Sequence, residues 1–401
     1  MKLFHNALVL SVFYFSSLIG YSQLAPVESN GEALARSSTS PSSVTSARAA
    51  RQRVAVMVGM EQQLFPSYLL ARATMKPQSN HYMLGDGDGN ISVVFHNPGL
   101  NTSVRVEVAP TPFSEAAVYE GVLQEPDKDY EISPRIPWNF EKLRGLLQPT
   151  PVNFTVTTYI DNVKVSHRTV VATMRSVNDC PYYWEDDETG TGDLDLNYMY
   201  VAYINEDDPV VDEVLTQALQ NDIVDGFDGY QTGDKKRVDD QVFSIWYALQ
   251  KRGIKYSSIS TNSSTGVSQN LYSQRIRTID QTWNNRQANC VDGMVLMASV
   301  LRSIHIDPVL VLMADHCVLG YYRDAEHKDL ACLETSMIGD VDLRKMMSIR
   351  RRKASRKLFA EARQRAQRHY RISKEHFDKD PRYRFIVVAD VRKSGIRPIG
   401  R

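Results

Sequence analysis

NCVDGMVLMASVLRSIHI, residues 289–306, is the stretch that decides the fold of this 401-residue chain. Asn289 is a favourable N-cap residue, and Asp292 places a carboxylate in the first turn behind it. Apolar residues then recur at helical spacing. The pattern predicts a helix from Cys290 to about Ile304, with the cysteine as its first residue.

Cys290 therefore stands at the amino terminus of a predicted helix. Unpaired backbone N–H groups and the helix dipole favour negative charge at that position. With an imidazole nearby, such a thiol ionises below its free pKa of about 8.5, and the thiolate is the reactive form. The same N–H groups can stabilise the oxyanion that forms when a thiolate attacks a carbonyl. Cys290 is thus the candidate nucleophile; the alternative is a buried cysteine packed under the helix.

A histidine and a glutamate follow on strand-like runs, which cover residues 308–313, 316–322 and 330–335. His316 opens the second run, and Glu334 lies near the end of the third. A turn centred in the polar stretch between these runs would place the two side chains directly opposite each other, about 5 Å apart at Cβ. A carboxylate in that position orients and charges an imidazole. Cys290, His316 and Glu334 then form a candidate catalytic triad.

The other three cysteines are predicted to be structural thiols. Cys317 lies on the strand face opposite His316, whereas Cys332 shares a face with Glu334. A disulfide between Cys317 and Cys332 is therefore not expected. Cys180 lies in a turn-like stretch with no evident partner.

These segments resemble the transglutaminase-like superfamily, a papain-type fold of cysteine proteases, acyltransferases and amide hydrolases. The resemblance covers roughly residues 236–340. Its matching pieces are Asn289-Cys290-Val291-Asp292-Gly293, the helix end at 301–306, the strand that His316 opens, and Leu333-Glu334-Thr335.

The resemblance implies that Cys290 is the nucleophile, that His316 is the general base and acid, and that Glu334 orients the histidine. Two positions depart from the family pattern. The acidic member is more often Asp, so Glu334 is one methylene longer and requires a different backbone spacing or a tilted ring. His305 stands where Gly is usual, which leaves the substrate class open.

Bacterial relatives of this kind often carry a Gln-x-x-Arg segment before the cysteine, and Gln274-Arg275-Ile276-Arg277 is a similar cluster. Gln274 is a candidate oxyanion donor, with Trp283 as a rival, and Asp292 supports the site from the helix start. The alternative for Gln274 is a surface amide. A thiol nucleophile of this type needs neither a metal nor an organic cofactor, and none is predicted.

The chain is predicted to be α+β, with a papain/transglutaminase-like core, a cysteine-bearing helix packed on an antiparallel sheet, behind a small β-sandwich domain. Alternating valines such as Val104, Val106 and Val108 indicate antiparallel strands. The predicted boundaries are 1–22 for a signal peptide, 23–52 for a flexible linker, 53–178 for the β domain, 179–343 for the core and 344–401 for a basic helix with a closing strand.

The amino terminus predicts export. A short positive start, an apolar run from Ala7 to Ile19 and small residues at Gly20 and Ser22 form the pattern of a cleaved signal peptide. The alternative is a membrane anchor, but about 13 apolar residues are too few to span a bilayer core of roughly 30 Å. No later segment is predicted to span a membrane. The expected location is periplasmic or secreted.

Charge is balanced overall, with 47 Lys and Arg residues against 47 Asp and Glu residues, so only local charge is informative. Residues 344–371 hold twelve Lys or Arg residues and one acid, Glu361. Such a helix can contact an anionic surface, while export makes a nucleic-acid role unlikely. The alternative is a solvated helix, with Leu358, Phe359 and Ala362 giving it one packed side. The acidic loop 185–197 is expected to be solvated, with a calcium site as the alternative.

The predicted function is an exported cysteine hydrolase that cleaves an amide or peptide bond through an acyl-enzyme on Cys290. The expected partner is a peptide or protein substrate. Two alternatives remain open: an acyltransferase that uses an amine in place of water, and a non-enzymatic binding module built on the same scaffold.

Overall fold

The computed structural model describes residues 54–76, 81–87, 89–185, 193–257, 270–377 and 379–400. The predicted signal peptide and linker lie outside the described residues, as does the central part of the acidic loop. Among the helices of the described residues, none combines the length and apolar character that crossing a bilayer requires.

The amino-terminal region is built from two sheets and two short helices, one after the second strand and one between the seventh and eighth strands. One sheet has the strand order β1-β4-β7-β3 and the other the order β2-β9-β8-β5-β6. The elements are β1 Ala55–Val58, β2 Gln63–Leu64, α1 Pro66–Arg72, β3 Met83–Gly85, β4 Ile91–His96, β5 Thr102–Val108, β6 Ala117–Leu123, β7 Asp129–Ser133, α2 Phe140–Arg144, β8 Thr150–Ile160 and β9 Val163–Met174. The predicted alternation appears in β5, where Val104, Val106 and Val108 are buried and the residues between them are partly exposed.

The second region mixes helices with short strands. Its first elements are β10 Asp179–Trp184, β11 Leu194–Asp195, a 3-10 helix Asn197–Tyr203, α3 Pro209–Leu219, α4 Lys235–Arg252, β12 Lys255–Tyr256, β13 Leu271–Arg275, α5 Ile279–Asn285 and β14 Gln287–Ala288. They are followed by α6 Cys290–Ser303, β15 Pro308–Met313, β16 His316–Tyr322, β17 Leu330–Leu333, 3-10 helices Thr335–Gly339 and Leu343–Lys345, α7 Ser348–Ser373, β18 Arg384–Val387 and α8 Val388–Lys393. The chain is therefore mixed α and β, with several sheets, as predicted.

A four-stranded antiparallel sheet, in the order β17-β16-β15-β18, lies between two helices. On one face, alternate residues of β16 such as Cys317 and Leu319 join the core that contains α6. On the other face, Val318 and Tyr322 pack with Ala366 of α7. The long basic helix thus forms one layer of the site region, because its apolar side covers this sheet.

Two Arg side chains of α7 form ion pairs with other parts of the protein. Arg363 pairs with Asp239 at 2.8 Å, and Arg356 pairs with Asp240 at 2.8 Å. Its buried positions include Leu358, Phe359, Ala362 and Ala366, so the predicted packed side is confirmed.

The two regions share one continuous apolar core that extends from Val54 to Ile399. Backbone bonds tie the carboxyl terminus to both regions: Arg397 donates to the carbonyl of Ala71, and Ile399 donates to that of Ala202. The boundary near residue 178 is therefore a change of architecture within one packed body.

The predicted register of the β16–β17 hairpin is wrong by two residues. Tyr322 pairs with Leu330 and Gly320 with Cys332, so Glu334 falls level with Val318 instead of His316. The loop is wider than predicted because Arg323 pairs with Asp329, closing it by both a backbone and a side-chain hydrogen bond. A shift of two residues keeps every side chain on its predicted face, since the strand period is two.

Gly253 immediately follows α4 and ends that helix. Its backbone is in the left-handed region, at φ +81°, and an added Cβ would meet the Arg344 guanidinium. We expect Gly253→Ala to lower the free energy of unfolding by about 1 kcal/mol, because an L-residue is strained at that φ.

Urea denaturation followed by circular dichroism measures the effect. Gly226→Ala is the matched control, since an added Cβ there meets no atom within 4 Å, and its midpoint should stay close to that of the unmodified protein. Equal midpoints for the two variants would contradict the assigned role of Gly253.

Candidate active site

Cys290 is the first residue of α6, and its position is fixed by a reciprocal capping box. The Asn289 side chain accepts a hydrogen bond from the Asp292 N–H at 2.8 Å. The Asp292 carboxylate accepts one from the Asn289 N–H at 2.9 Å. Two of the amino-terminal N–H groups are thereby satisfied, and Cys290 and Val291 between them remain at the positive end of the helix.

Asp292 also anchors the segment that precedes α5. Its two carboxylate oxygens accept hydrogen bonds from the Arg277 backbone at 2.8 Å and the Arg277 guanidinium at 2.7 Å. Burial raises the pKa of Asp292, while these hydrogen bonds act in the opposite direction. Asp292 thus supports the site by holding the helix start and Arg277 together.

Glu334 holds His316 by a side-chain hydrogen bond of 2.8 Å to Nε2. Its other oxygen accepts from the Ser336 hydroxyl at 2.7 Å, and its side chain is fully buried. Burial, the largest influence, raises the pKa of Glu334, but hydrogen bonds from His316 and Ser336 outweigh it, so the net pKa is lowered. A buried carboxylate beside the imidazole is the arrangement that the triad hypothesis requires.

The predicted His316–Glu334 pair is therefore present, but the two residues are diagonal neighbours across the strands and not direct ones. Glu334 lies beyond the end of β17, where it caps the following 3-10 helix. Because diagonal neighbours are about 7–8 Å apart, the extra methylene of Glu helps to bridge the gap that the shifted register leaves. A shorter Asp side chain would reach less far from this backbone position.

Cys290 and His316 polarise each other. Hydrogen bonds with Cys290 and Glu334 raise the pKa of His316 to about 9. Hydrogen bonds from Cys317 and His316 lower the pKa of Cys290 to about 5, against the opposing effect of burial. These values belong to the coupled pair rather than to either group alone. Between them, the thiolate–imidazolium form dominates.

Cys317, which was predicted to be a structural thiol, lies on the sheet face that looks toward α6. A hydrogen bond with Cys290, together with burial, raises the pKa of Cys317 well above its usual value. The same interaction lowers the pKa of Cys290. A protonated thiol in this position can donate to the Cys290 thiolate. All four cysteines are free, so the expected absence of a Cys317–Cys332 disulfide is confirmed.

His369 of α7 is the site residue that the sequence analysis missed. Its ring lies edge-on to that of His316, with centroids 5.6 Å apart. Its Nδ1 lies 3.6 Å from the Glu334 carboxylate, too far for a hydrogen bond. Burial lowers the pKa of His369.

A signal for His369 was present in the sequence. It lies three residues after Ala366 and seven after Ala362, and both alanines are buried against the sheet. Residues at that spacing share a helix face. Extending the packed side by one turn would have placed His369 on the packed face of the helix, although not against a particular sheet.

Two predicted supporting residues have other partners. The Trp283 indole N–H donates to Glu213 at 2.9 Å, its ring is buried, and the Arg252 guanidinium lies 4.4 Å from the ring centroid. This geometry favours a packing role over the oxyanion role. The Gln274 amide donates to the Arg275 carbonyl, and Gln274 pairs with Cys180 across β10 and β13. Its proposed contact with an oxyanion stays a prediction.

No protein-family model matches this sequence, and comparison with curated proteins gives no significant match.

The Cys317 hydrogen bond makes a specific prediction about the reactivity of Cys290. Hydrogen bonds to charged groups contribute about 1.5–3 kcal/mol, which corresponds to about one or two pKa units. We expect Cys317→Ala to raise the pH midpoint of Cys290 alkylation by about one unit, because the thiolate loses a donor. Cys317→Ser retains a donor of similar size and should keep the midpoint near that of the unmodified protein.

The measurement is the rate of iodoacetamide labelling against pH, with Cys290 identified by mass spectrometry. Circular dichroism of both variants checks that they are folded. Identical midpoints in a folded Cys317→Ala variant and the unmodified protein would refute the donor role.

Proposed function

We propose that this protein is a cysteine hydrolase that cleaves an amide or peptide bond through an acyl-enzyme on Cys290. The observation that carries the proposal is the continuous series of contacts from the Cys290 thiol through the His316 ring to the buried Glu334 carboxylate. The resemblance to transglutaminase-like proteins adds to the proposal, since Cys290, His316 and Glu334 follow one another along the chain in the order nucleophile, base and acidic residue, as in that family.

Acylation starts from the ion pair. The Cys290 thiolate attacks the carbonyl carbon, and the carbonyl oxygen becomes an oxyanion near the start of α6. The first N–H groups of a helix lack intrahelical acceptors, so those of Cys290 and Val291 are the candidate donors. The imidazolium of His316 then transfers its proton to the leaving amine, and the carbon–nitrogen bond breaks.

Deacylation reverses the proton movement. Neutral His316 accepts a proton from water, the resulting hydroxide attacks the thioester, and Cys290 leaves as a thiolate. Glu334 keeps the ring oriented and stabilises its charged form throughout. Water is the acceptor favoured here; an amine acceptor would give the transferase version of the same chemistry.

The proposed setting is extracytoplasmic, as the amino-terminal sequence predicts. The proposed substrate is a peptide or protein chain, including the peptide parts of a cell-wall polymer. The Lys and Arg side chains of α7 that form no ion pair among the described residues of the protein would contact an anionic surface near such a substrate.

The pH dependence of turnover follows from the two shifted groups. The lowered pKa of Cys290 means that thiolate is lost as pH falls through about 5. The raised pKa of His316 means that imidazolium is lost as pH rises through about 9. We expect kcat/KM for an amide substrate to be bell-shaped between these limits.

Glu334→Gln separates the two limbs of this profile. The amide keeps the size of the side chain but removes the negative charge that helps to raise the pKa of His316. The alkaline limb should therefore move to lower pH by about one unit, with a smaller maximum. An alkaline limb that stays near pH 9 would contradict the assigned role of Glu334.

The enzyme assignment is tested by labelling and by turnover. At pH 7, Cys290 should react with iodoacetamide far faster than Cys180, Cys317 and Cys332, whose pKa values burial and neighbouring groups raise. Screening with peptides and peptidoglycan fragments should yield an acyl-enzyme adduct on Cys290 by mass spectrometry, and Cys290→Ala should show none.

Cys180→Ala is the matched control, because it removes a buried thiol that has none of the proposed catalytic roles, and it should leave turnover intact. If Cys290 labels no faster than the other cysteines and the rate shows no pH dependence below about 8, the protein is a binding module rather than an enzyme.

A further inference from the structure

Three side chains with metal-binding atoms meet on the α7 side of the site. His316, Glu334 and His369 each offer one ligand atom, and these atoms all lie within 4.8 Å of one another. They come from three different elements: the start of β16, the segment after β17, and α7. Sequence analysis predicted no metal site, because His369 is 35 positions beyond Glu334 and its contact with the sheet depends on helix packing.

The spacing suits a small tetrahedral cation. Zinc–nitrogen and zinc–oxygen bonds are about 2.0–2.2 Å, so ligand atoms around zinc stand about 3.4 Å apart. The distance from His369 Nδ1 to the Glu334 carboxylate, 3.6 Å, is close to that value. The His316–Glu334 distance, 2.8 Å, would need to widen by about half an ångström. The two imidazole nitrogens, which lie within 4.8 Å of each other, would need to stand about 3.4 Å apart in the same site.

His369 has an unused ligand atom. Its Nδ1 is buried and has no hydrogen-bond partner among the described residues, although it faces a carboxylate. Buried polar atoms are normally satisfied, so an unsatisfied one requires an explanation such as a bound ion. The neighbouring groups supply two imidazoles and one carboxylate, a donor set that zinc accepts while keeping a fourth position open.

We propose that His316, Glu334 and His369 form a reversible inhibitory site for Zn²⁺. The inhibitory part rests on the proposed function, because a metal bound to His316 occupies the imidazole that catalysis uses for proton transfer. Binding requires His316 to release its Nε2 proton to solvent, which ends the His316–Glu334 hydrogen bond. Three metal–ligand bonds, to His316, Glu334 and His369, form in its place. Cys290 is not required as a ligand.

Metal binding is tested first on Cys290→Ala, which has no nucleophile, so the result does not depend on catalysis. Isothermal titration of the metal-stripped protein with ZnCl₂ should show one ion per chain. Adding His369→Gln should weaken this binding at least tenfold, since loss of even supporting residues around a metal typically costs 10–100-fold. Adding His376→Gln, which removes an exposed histidine just after the same helix, should leave the affinity unchanged.

Inhibition is tested on the protein with Cys290 intact. Zn²⁺ should slow alkylation and turnover in the unmodified protein and in His376→Gln, but should have at least tenfold less potency in His369→Gln. The absence of binding, binding insensitive to His369→Gln, or binding without slower alkylation would each overturn the proposal. Slow alkylation in the metal-free protein would instead count against the hydrolase, and the titration on Cys290→Ala would still decide the metal site.

Discussion

The buried carboxylate of Glu334 is the group on which the site depends. It is fully enclosed, and a buried charge is tolerated only when its oxygens are paired. One oxygen accepts a hydrogen bond from the His316 ring, and the other accepts one from the Ser336 hydroxyl. The backbone N–H of Glu334 also donates to the carbonyl of Ala362, at 3.3 Å, which attaches the residue to α7. Removing either side-chain partner would leave charge unsatisfied, so the triad and the local fold are stabilised together.

The sheet between α6 and α7 presents different site residues on its two faces, because successive side chains of a strand point to opposite sides. Cys317 faces α6 and lies near Cys290. His316, at the start of the same strand, contacts Glu334 and His369 on the α7 side. His316 can contact both partners because it lies at the strand end, where the sheet no longer separates the two layers. One strand end therefore brings a thiol donor and an imidazole to Cys290 from adjacent positions. Both groups lower the pKa of Cys290, although its partial burial acts in the opposite direction.

Much of the fold around the site could be predicted from the sequence, because the helix start and the strands depend on local residues. The Asn289–Asp292 capping box defined the helix start, and the alternating apolar residues defined the strands at 308–313 and 316–322 to the residue. The faces of His316, Cys317 and Glu334 were also correct, since they depend only on a period of two. What failed depended on the loop: the Arg323–Asp329 pair widened the turn and moved the register by two residues. Strand alternation is insensitive to such a shift, so the functional pairing survived it.

The features that sequence reasoning did not find are those set by packing between layers. The pattern at 344–371 indicated a basic helix with one apolar side, but nothing in that pattern says which sheet the side covers. Ala362 and Ala366 pack on the sheet that carries His316. Because His369 shares their helix face, the spacing of α7 places it near Glu334. The same contact makes α7 part of the candidate site, so changes to its packed side should act on the Glu334 environment as well as on stability. The buried carboxylate of Glu334 thus lies between the proposed base, His316, and the proposed metal ligand, His369. In the proposed mechanism, a His316 ring held by Glu334 can donate a proton beside the Cys290 thiolate, whereas a ring bound to metal cannot.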